Sequence, residues 1–252
     1  MKPNVLILRA PGTNCDLETA YAFELAGATT ERVHVNRVLE NPALLERFQI
    51  LCFPGGFSYG DDIAAGRVMA TKIRVNLVDA IRKFRDDGKL ILGVCNGFQI
   101  LIKSGILVAD DDKGAPVTLT WNKSGVYTDR WARLEVKSDK CVFLKGIEKM
   151  YLPVAHAEGK FMARDESVLD ALEAQGRLAL RYVPSDNPNG AARDVAGACD
   201  ETGRVFGLMP HPERHVDKTQ RPDWTRFRDD PDFATRVGDG LQIFKNATEY
   251  FA

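Results

Sequence analysis

Lys89-Leu-Ile-Leu-Gly-Val-Cys95-Asn-Gly-Phe-Gln99 is the stretch from which the rest of the chain is most readily understood. An apolar run (Leu90, Ile91, Leu92) ends at Gly93, a single cysteine follows two residues later, and Gly97 comes two residues after that. Phe98, Ile100 and Leu101 continue an apolar pattern that closes at Gly105. The pattern reads as strand, sharp turn, helix, with Cys95 on the turn: the thiol version of a nucleophile elbow. The bend brings backbone close to backbone, which only glycine tolerates cheaply, and it pushes the sulfur out at the carboxyl edge of a sheet. The helix that begins there directs unpaired N–H groups and its positive dipole end at the same spot. That dipole contributes about 0.3–1 kcal/mol, up to ~2 in a partly buried site, against about 1.4 kcal/mol per pKa unit. A thiol that titrates near about 8.5 thus moves by about one unit, so a neighbouring base is needed to make it a nucleophile.

The bulk numbers narrow the class. At 252 residues and 44% hydrophobic content the chain has ample size for a buried core, as one large domain or two small ones. A net charge of −1 gives no footprint for nucleic acid or an acidic membrane surface. Val5-Leu-Ile-Leu8 is too short for a signal-peptide core, and no stretch approaches a membrane span. Five cysteines (15, 52, 95, 141 and 199) are scattered without a C-x-x-C pair. They suit reduced thiols in a cytoplasmic protein better than a disulfide framework or structural zinc.

The first hundred residues alternate strand and helix signals. Val5–Leu8 is an apolar run; Leu17, Ala20, Tyr21 and Leu25 follow at helical spacing up to Gly27. Arg32–Val38 alternates like a strand, Asn41-Pro42 opens a short helix, and Ile50–Phe53 is a buried strand. Ile73, Leu77, Ala80, Ile81 and Phe84 form one helical stripe ended by Gly88. Alternation of this kind predicts a parallel, helix-covered sheet. The texture changes near Asp110: Val117–Trp121 and Trp131–Lys137 read as strands joined through Asn122-Lys-Ser-Gly125, a β-rich insertion at roughly 115–160. Asp165–Gly176 is helical, Leu178–Val183 and Arg204–Met209 are strands, and Leu241–Phe251 is a last helix.

The strand Arg204–Met209 runs into Pro210-His211-Pro212-Glu213-Arg214-His215. In extended chain, residues two apart share a side, so Glu213 can orient one nitrogen of His211 while the other faces a thiol. His211, Glu213 and His215 also have metal-ligand chemistry, but no further cluster completes a site, and no metal is expected. Phe53-Pro-Gly55-Gly56-Phe-Ser-Tyr-Gly-Asp61 lies at a third strand end, where consecutive glycines can offer backbone N–H groups to a developing oxyanion.

Pro54-Gly-Gly56, Gly93-Val-Cys95-Asn-Gly-Phe-Gln99 and His211-Pro-Glu213 together resemble the signature of the class I (triad) glutamine amidotransferases. Arg9-Ala-Pro-Gly-Thr-Asn-Cys15-Asp, the Phe53–Asp61 stretch, His156-Ala-Glu-Gly-Lys-Phe161 and Asn187-Pro-Asn-Gly190 resemble the branch that serves purine synthesis. The resemblance covers nearly the whole chain; Ala64, Ala191 and a longer Asp217–Arg236 segment depart from it. It implies one amidotransferase domain over 1–252: an α/β three-layer sandwich with a flavodoxin-like, mostly parallel sheet and the β-rich insertion. It also implies that Cys95 attacks the glutamine amide, that His211 moves the proton and that Glu213 orients His211. The N–H groups of Gly56 and Asn96 would form the oxyanion hole, and Phe57 and Gln99 would help to hold glutamine. Cys15 and His156 sit in matching motifs with no step assigned to them. No phosphate-binding glycine loop is present, so no cofactor is expected on this chain. ATP and Mg are expected on a large synthetase subunit that aminates formylglycinamide ribonucleotide, with a small third subunit bridging the two.

Two other readings stand beside this one: a triad glutaminase or thiol hydrolase for another acceptor, and a catalytically idle interaction subunit. For the latter, Arg221–Arg228 mixes basic and aromatic side chains, although Asp223, Asp229, Asp230 and Asp232 mark it as an ordinary solvated loop.

Overall fold

Three apolar runs become adjacent, fully buried strands, and they set the frame for everything else. The computed structural model describes residues 2–252. In chain order, β1 (Asn4–Arg9), α1 (Asp16–Leu25), β2 (Thr29–His34), α2 (Val35–Glu40) and β3 (Ile50–Phe53) lead to α3 (Arg67–Asn76) and α4 (Val78–Asp86). Next come β4 (Leu90–Val94), α5 (Asn96–Lys103), β5 (Val117–Thr120), β6 (Thr128–Val136), β7 (Lys149–His156) and β8 (Lys160–Ala163). The chain ends with α6 (Glu166–Ala174), β9 (Leu180–Tyr182), β10 (Val195–Cys199), β11 (Val205–Leu208) and α7 (Leu241–Glu249). A nine-stranded sheet runs β2-β1-β3-β4-β11-β10-β9-β6-β7. From β2 to β11 the pairs are parallel, and the remaining pairs are antiparallel. This is the expected α/β fold with a mostly parallel, flavodoxin-like order.

The register aligns the carboxyl ends that matter. Phe53 pairs with Gly93, and Val94 with Leu208. The segments that follow β3, β4 and β11 therefore leave one sheet edge side by side, where α/β proteins place their ligands. Helices cover the sheet: α1 meets α7 through Phe23 and Phe244, edge to face at 4.9 Å, and α3 packs on α5. None of the helices in the described residues is long and apolar enough to cross a membrane.

The structure differs from the sequence reading in four places. The alternation of Arg32–Val38 predicts a strand, but β2 ends at His34, whose Nδ1 accepts the Asn36 N–H (3.2 Å) and so caps α2. The single stripe ending at Gly88 is two helices, broken at Leu77 (φ −128°). β5 and β6 are not a hairpin: β5 pairs with β8 in a separate ribbon, while β6 pairs with β7 and β9 and extends the main sheet. Finally, β7, β8 and β10 carry no clear strand signal. β7 contains Pro153, which an edge strand tolerates, and Val195-Ala-Gly-Ala-Cys199 is small residues buried on both faces.

Candidate active site

Cys95 sits directly after β4 with φ +50° and ψ −104°, a conformation that costs a non-glycine residue about 1–3 kcal/mol. Its N–H donates to Leu208 O (2.7 Å) and its carbonyl accepts from Gln99 N (3.1 Å), so strand and helix pin the bend from both sides. The flanking glycines are required by contact. A Cβ on Gly97 would lie 1.9 Å from Phe53 O, and one on Gly93 would lie 2.7 Å from Gly97 O. The elbow therefore holds the sulfur at the sheet edge, 5% exposed, where the thiol reaches Ala155 O (3.7 Å).

His211 arrives from β11, and its N–H is held by Pro153 O at 2.8 Å. Its ring and the Glu213 carboxylate are both buried, with Nδ1 2.6 Å from Glu213 Oε1. Burial alone would depress the histidine pKa. The Glu213 charge and the nearby sulfurs of Cys95 and Cys15 outweigh it and hold the pKa well above the ordinary value. Nε2 makes no hydrogen bond of ordinary geometry and is left for the Cys95 side of the ring. Cys95, His211 and Glu213 thus come together as a thiol, an imidazole and a carboxylate.

The glycine turn after β3 completes the edge. Gly56 has φ +138°, and a Cβ there would lie 2.7 Å from Asn14 N, so only glycine fits against the Arg9–Cys15 loop. Of Gly56 and Asn96, both singled out as oxyanion donors, Gly56 lines one cavity with Cys95 and Asn96 follows Cys95 in the chain. Asn96 N begins α5, and neither N–H has a backbone or side-chain acceptor among the described residues. The Asn96 side chain ties the turn to the elbow, accepting from Ser58 N (3.2 Å) and donating to Asp61 Oδ1 (3.1 Å) and Gln99 Oε1 (3.0 Å).

A cavity of about 270 Å³ opens beside Cys95, lined by Gly56, Phe57, Asp61, Gln99, Trp121 and the Ala155–Glu158 segment. Phe57 is 42% exposed and stacks with Tyr127 at the mouth. Gln99 lines the cavity, but its amide is already engaged, Nε2 with Glu158 O (2.7 Å) and Oε1 with Asn96. It braces the wall as much as it faces the cavity. A larger groove of about 760 Å³ between Trp131, Tyr151 and Arg221 is lined by no cysteine, serine or histidine.

Several residues here had been given no role from the sequence. Cys15 is buried behind His211; a donor atom from each of Cys15, His211 and Glu213 lies within 4.8 Å of the others. Its sulfur accepts from Arg214 Nη2 (3.2 Å), and burial pushes its pKa up. His215 stays out of this cluster, with Nδ1 on Tyr151 O (2.9 Å) and its ring against Trp131. Buried Glu158 accepts from Ala65 N through both oxygens (3.1 Å) and pairs with Lys103 (3.5 Å). Burial pulls the Lys103 pKa down and raises that of Asp61. Asn122 and Asn189 clamp the His156–Gly159 turn, and that network is the structural content of the His-Ala-Glu-Gly and Asn-Pro-Asn-Gly stretches. Their only sequence signal was membership of those stretches.

Comparison with known proteins agrees with this geometry. Residues 2–251 match the model of a family described as the CobB/CobQ-like glutamine amidotransferase domain. Phosphoribosylformylglycinamidine synthase subunit PurQ of Dehalococcoides mccartyi is 48% identical over 256 residues, 99% of this chain and 98% of the relative. The protein of the same name from Methanococcus maripaludis is 41% identical, covering 99% and 97%. Among solved structures, a chain of PurLQS from Thermotoga maritima aligns with TM-score 0.77 and 32% identity over 100% of both chains.

Proposed function

This chain belongs to the CobB/CobQ-like glutamine amidotransferase domain family, and from that premise we propose that it is the glutaminase subunit of a phosphoribosylformylglycinamidine synthase. The observation that carries the chemistry is the strained Cys95 elbow facing the buried His211–Glu213 pair. The Cys95 thiol gives its proton to His211 Nε2 as sulfur attacks the glutamine amide carbon, and the oxyanion forms against the Gly56 and Asn96 N–H groups. His211 returns the proton to the departing nitrogen, ammonia leaves, and water then hydrolyses the thioester to glutamate. Glu213 holds the ring and stabilises the imidazolium throughout. Phe57 and Gln99 border the bound glutamine.

Ammonia released into neutral water is mostly ammonium and no longer a nucleophile. The product therefore passes to a second active site, on the large synthetase subunit, which aminates formylglycinamide ribonucleotide. That subunit binds ATP and Mg, and a small third subunit bridges the complex, in keeping with the PurLQS likeness. The whole chain, 1–252, acts as one amidotransferase domain in the cytoplasm.

The test is glutamate release from glutamine by wild type and Cys95→Ala, alone and with the synthetase subunits, ATP and formylglycinamide ribonucleotide. Cys95-dependent release, raised by partner and substrates, is the expected result. Release without any rise would move the acceptor elsewhere, and no release in any mixture would refute the glutaminase reading.

A further inference from the structure

His156 is a second buried histidine of the site, and the triad does not use it. It closes β7 next to Ala155, whose carbonyl is 3.7 Å from Cys95 Sγ, and it lines the same cavity as Cys95. The ring is 3% exposed, with Nδ1 3.1 Å from Asn122 Oδ1. The orientation of the Asn122 amide follows from its other partners. Nδ2 reaches Val126 O (3.0 Å) and His156 O (2.8 Å), which only accept, and Oδ1 meets Gly159 N (3.1 Å), which only donates. The Nδ1 contact therefore requires the proton on Nδ1. In the neutral ring Nε2 is then a bare lone pair, buried and without a partner among the described residues.

The ring is closely packed on its neighbours. Gly159 lies against it, where a Cβ would come within 2.2–2.6 Å of Cε1, Nδ1 and Nε2. Asn189 Nδ2 holds Gly159 O at 2.7 Å. Burial and the charge of His211 push the His156 pKa down to about 4, so the lone pair stays unprotonated at neutral pH. A buried acceptor without a donor is costly, unless a ligand supplies the donor.

The proposed reaction supplies one. When the tetrahedral intermediate collapses, His211 Nε2–H protonates the nitrogen lone pair. The C–N bonding pair then stays with nitrogen, and the oxyanion re-forms the carbonyl of the thioester. Proton transfer requires that lone pair to face His211, which turns the two N–H bonds of the leaving group toward other acceptors. Ala155 O lies 3.7 Å from the sulfur, and His156, which lines the same cavity and feels the charge of His211, has an unpartnered Nε2. We propose that His156 Nε2 accepts a hydrogen bond from the leaving nitrogen of the substrate amide, aiming its lone pair at His211 and receiving the new ammonia. The inference rests on the glutaminase reading above. The α-ammonium of glutamine, the other N–H donor, has the Asp61 carboxylate in the same cavity.

The test compares glutamine with glutamate γ-methyl ester in the assembled synthetase complex. Both substrates carry the α-ammonium, and only glutamine has a leaving group with N–H bonds. His156→Leu is expected to lower kcat/KM for glutamine about 10–100-fold and that for the ester less than about threefold. His156→Gln, which returns an acceptor oxygen, should recover part of the glutamine rate. If His156→Leu does not fold, His156→Phe keeps a ring against Gly159 and is judged by the same ratio. Equal losses on the two substrates, or none on either, overturn the proposal. A wild-type complex that hydrolyses neither substrate overturns the glutaminase reading, and the inference with it.

Discussion

Glu213→Gln removes one charge and almost no volume from the most enclosed polar contact of the site. Glu213 is 1% exposed, Oε1 lies 2.6 Å from His211 Nδ1, and Oε2 has no partner. A hydrogen bond to a charged group contributes about 1.5–3 kcal/mol, so losing the stabilised imidazolium alone slows the reaction about 10–150-fold. The glutamine amide has a second effect. If its NH2 faces Nδ1, the ring proton moves to Nε2 and Cys95 loses its base; a wrong tautomer in a triad costs about 10⁴. The expected fall in glutaminase kcat/KM is therefore about 10²–10⁴-fold, with KM changed by less than about threefold because Glu213 touches no substrate. The pH profile moves in a defined direction. Glu213 raises the His211 pKa, and His211 must be unprotonated to act as the base, so loss of Glu213 shifts the acid limb of the profile to lower pH. The same sign governs stability: a raised folded pKa stabilises below the unfolded value near 6.5, and the benefit disappears as pH rises through the folded pKa. The assay is glutamate release across pH for both proteins, with thermal melts alongside. A variant within about threefold of wild type, with the acid limb in place, would refute the orienting role.

Gly97→Ala puts a methyl group 1.9 Å from Phe53 O, a backbone atom that cannot step aside. A loss of about 3 kcal/mol or more in urea unfolding is expected, with glutaminase activity abolished; a stable, active variant would refute the packing argument. Asn122→Ala leaves the buried Gly159 N–H and His156 carbonyl short of partners, for about 2–4 kcal/mol by urea unfolding. Acidification tests His156: its pKa of about 4 lies below its unfolded value of 6.5, so the native state binds fewer protons than the unfolded one. Stability then falls as pH drops from 6.5 to 4, by about 3 kcal/mol from this residue, and His156→Gln flattens that part of the pH–stability curve.

The residues proposed as catalytic were legible because the backbone around them is demanding. Gly93 and Gly97 flag the elbow since no side chain fits beside Gly97 O and Phe53 O, and His211-Pro-Glu213 is short enough for its geometry to be read locally. What stayed hidden depends on distant contacts. Nothing near Cys15 announces that Gly55 and Arg214 bring it behind His211, and nothing near Asn122 announces that it fixes the tautomer of His156. β10 was invisible because small residues buried on both faces lack the alternation that marks a half-exposed strand. β7 was disguised by Pro153, a residue the structure uses, since its carbonyl anchors His211.

The sheet order has a consequence for synthesis of the chain. β11, which leads into His211, inserts between β4 and β10, after every other strand has emerged from the ribosome. Cys95 and His211 therefore meet only when the sheet closes, by one of the longest-range pairings in the fold, a kind of contact that forms slowly. A half-made protein carries the cysteine but cannot turn it on glutamine, so the cell's nitrogen donor is spared by unfinished copies.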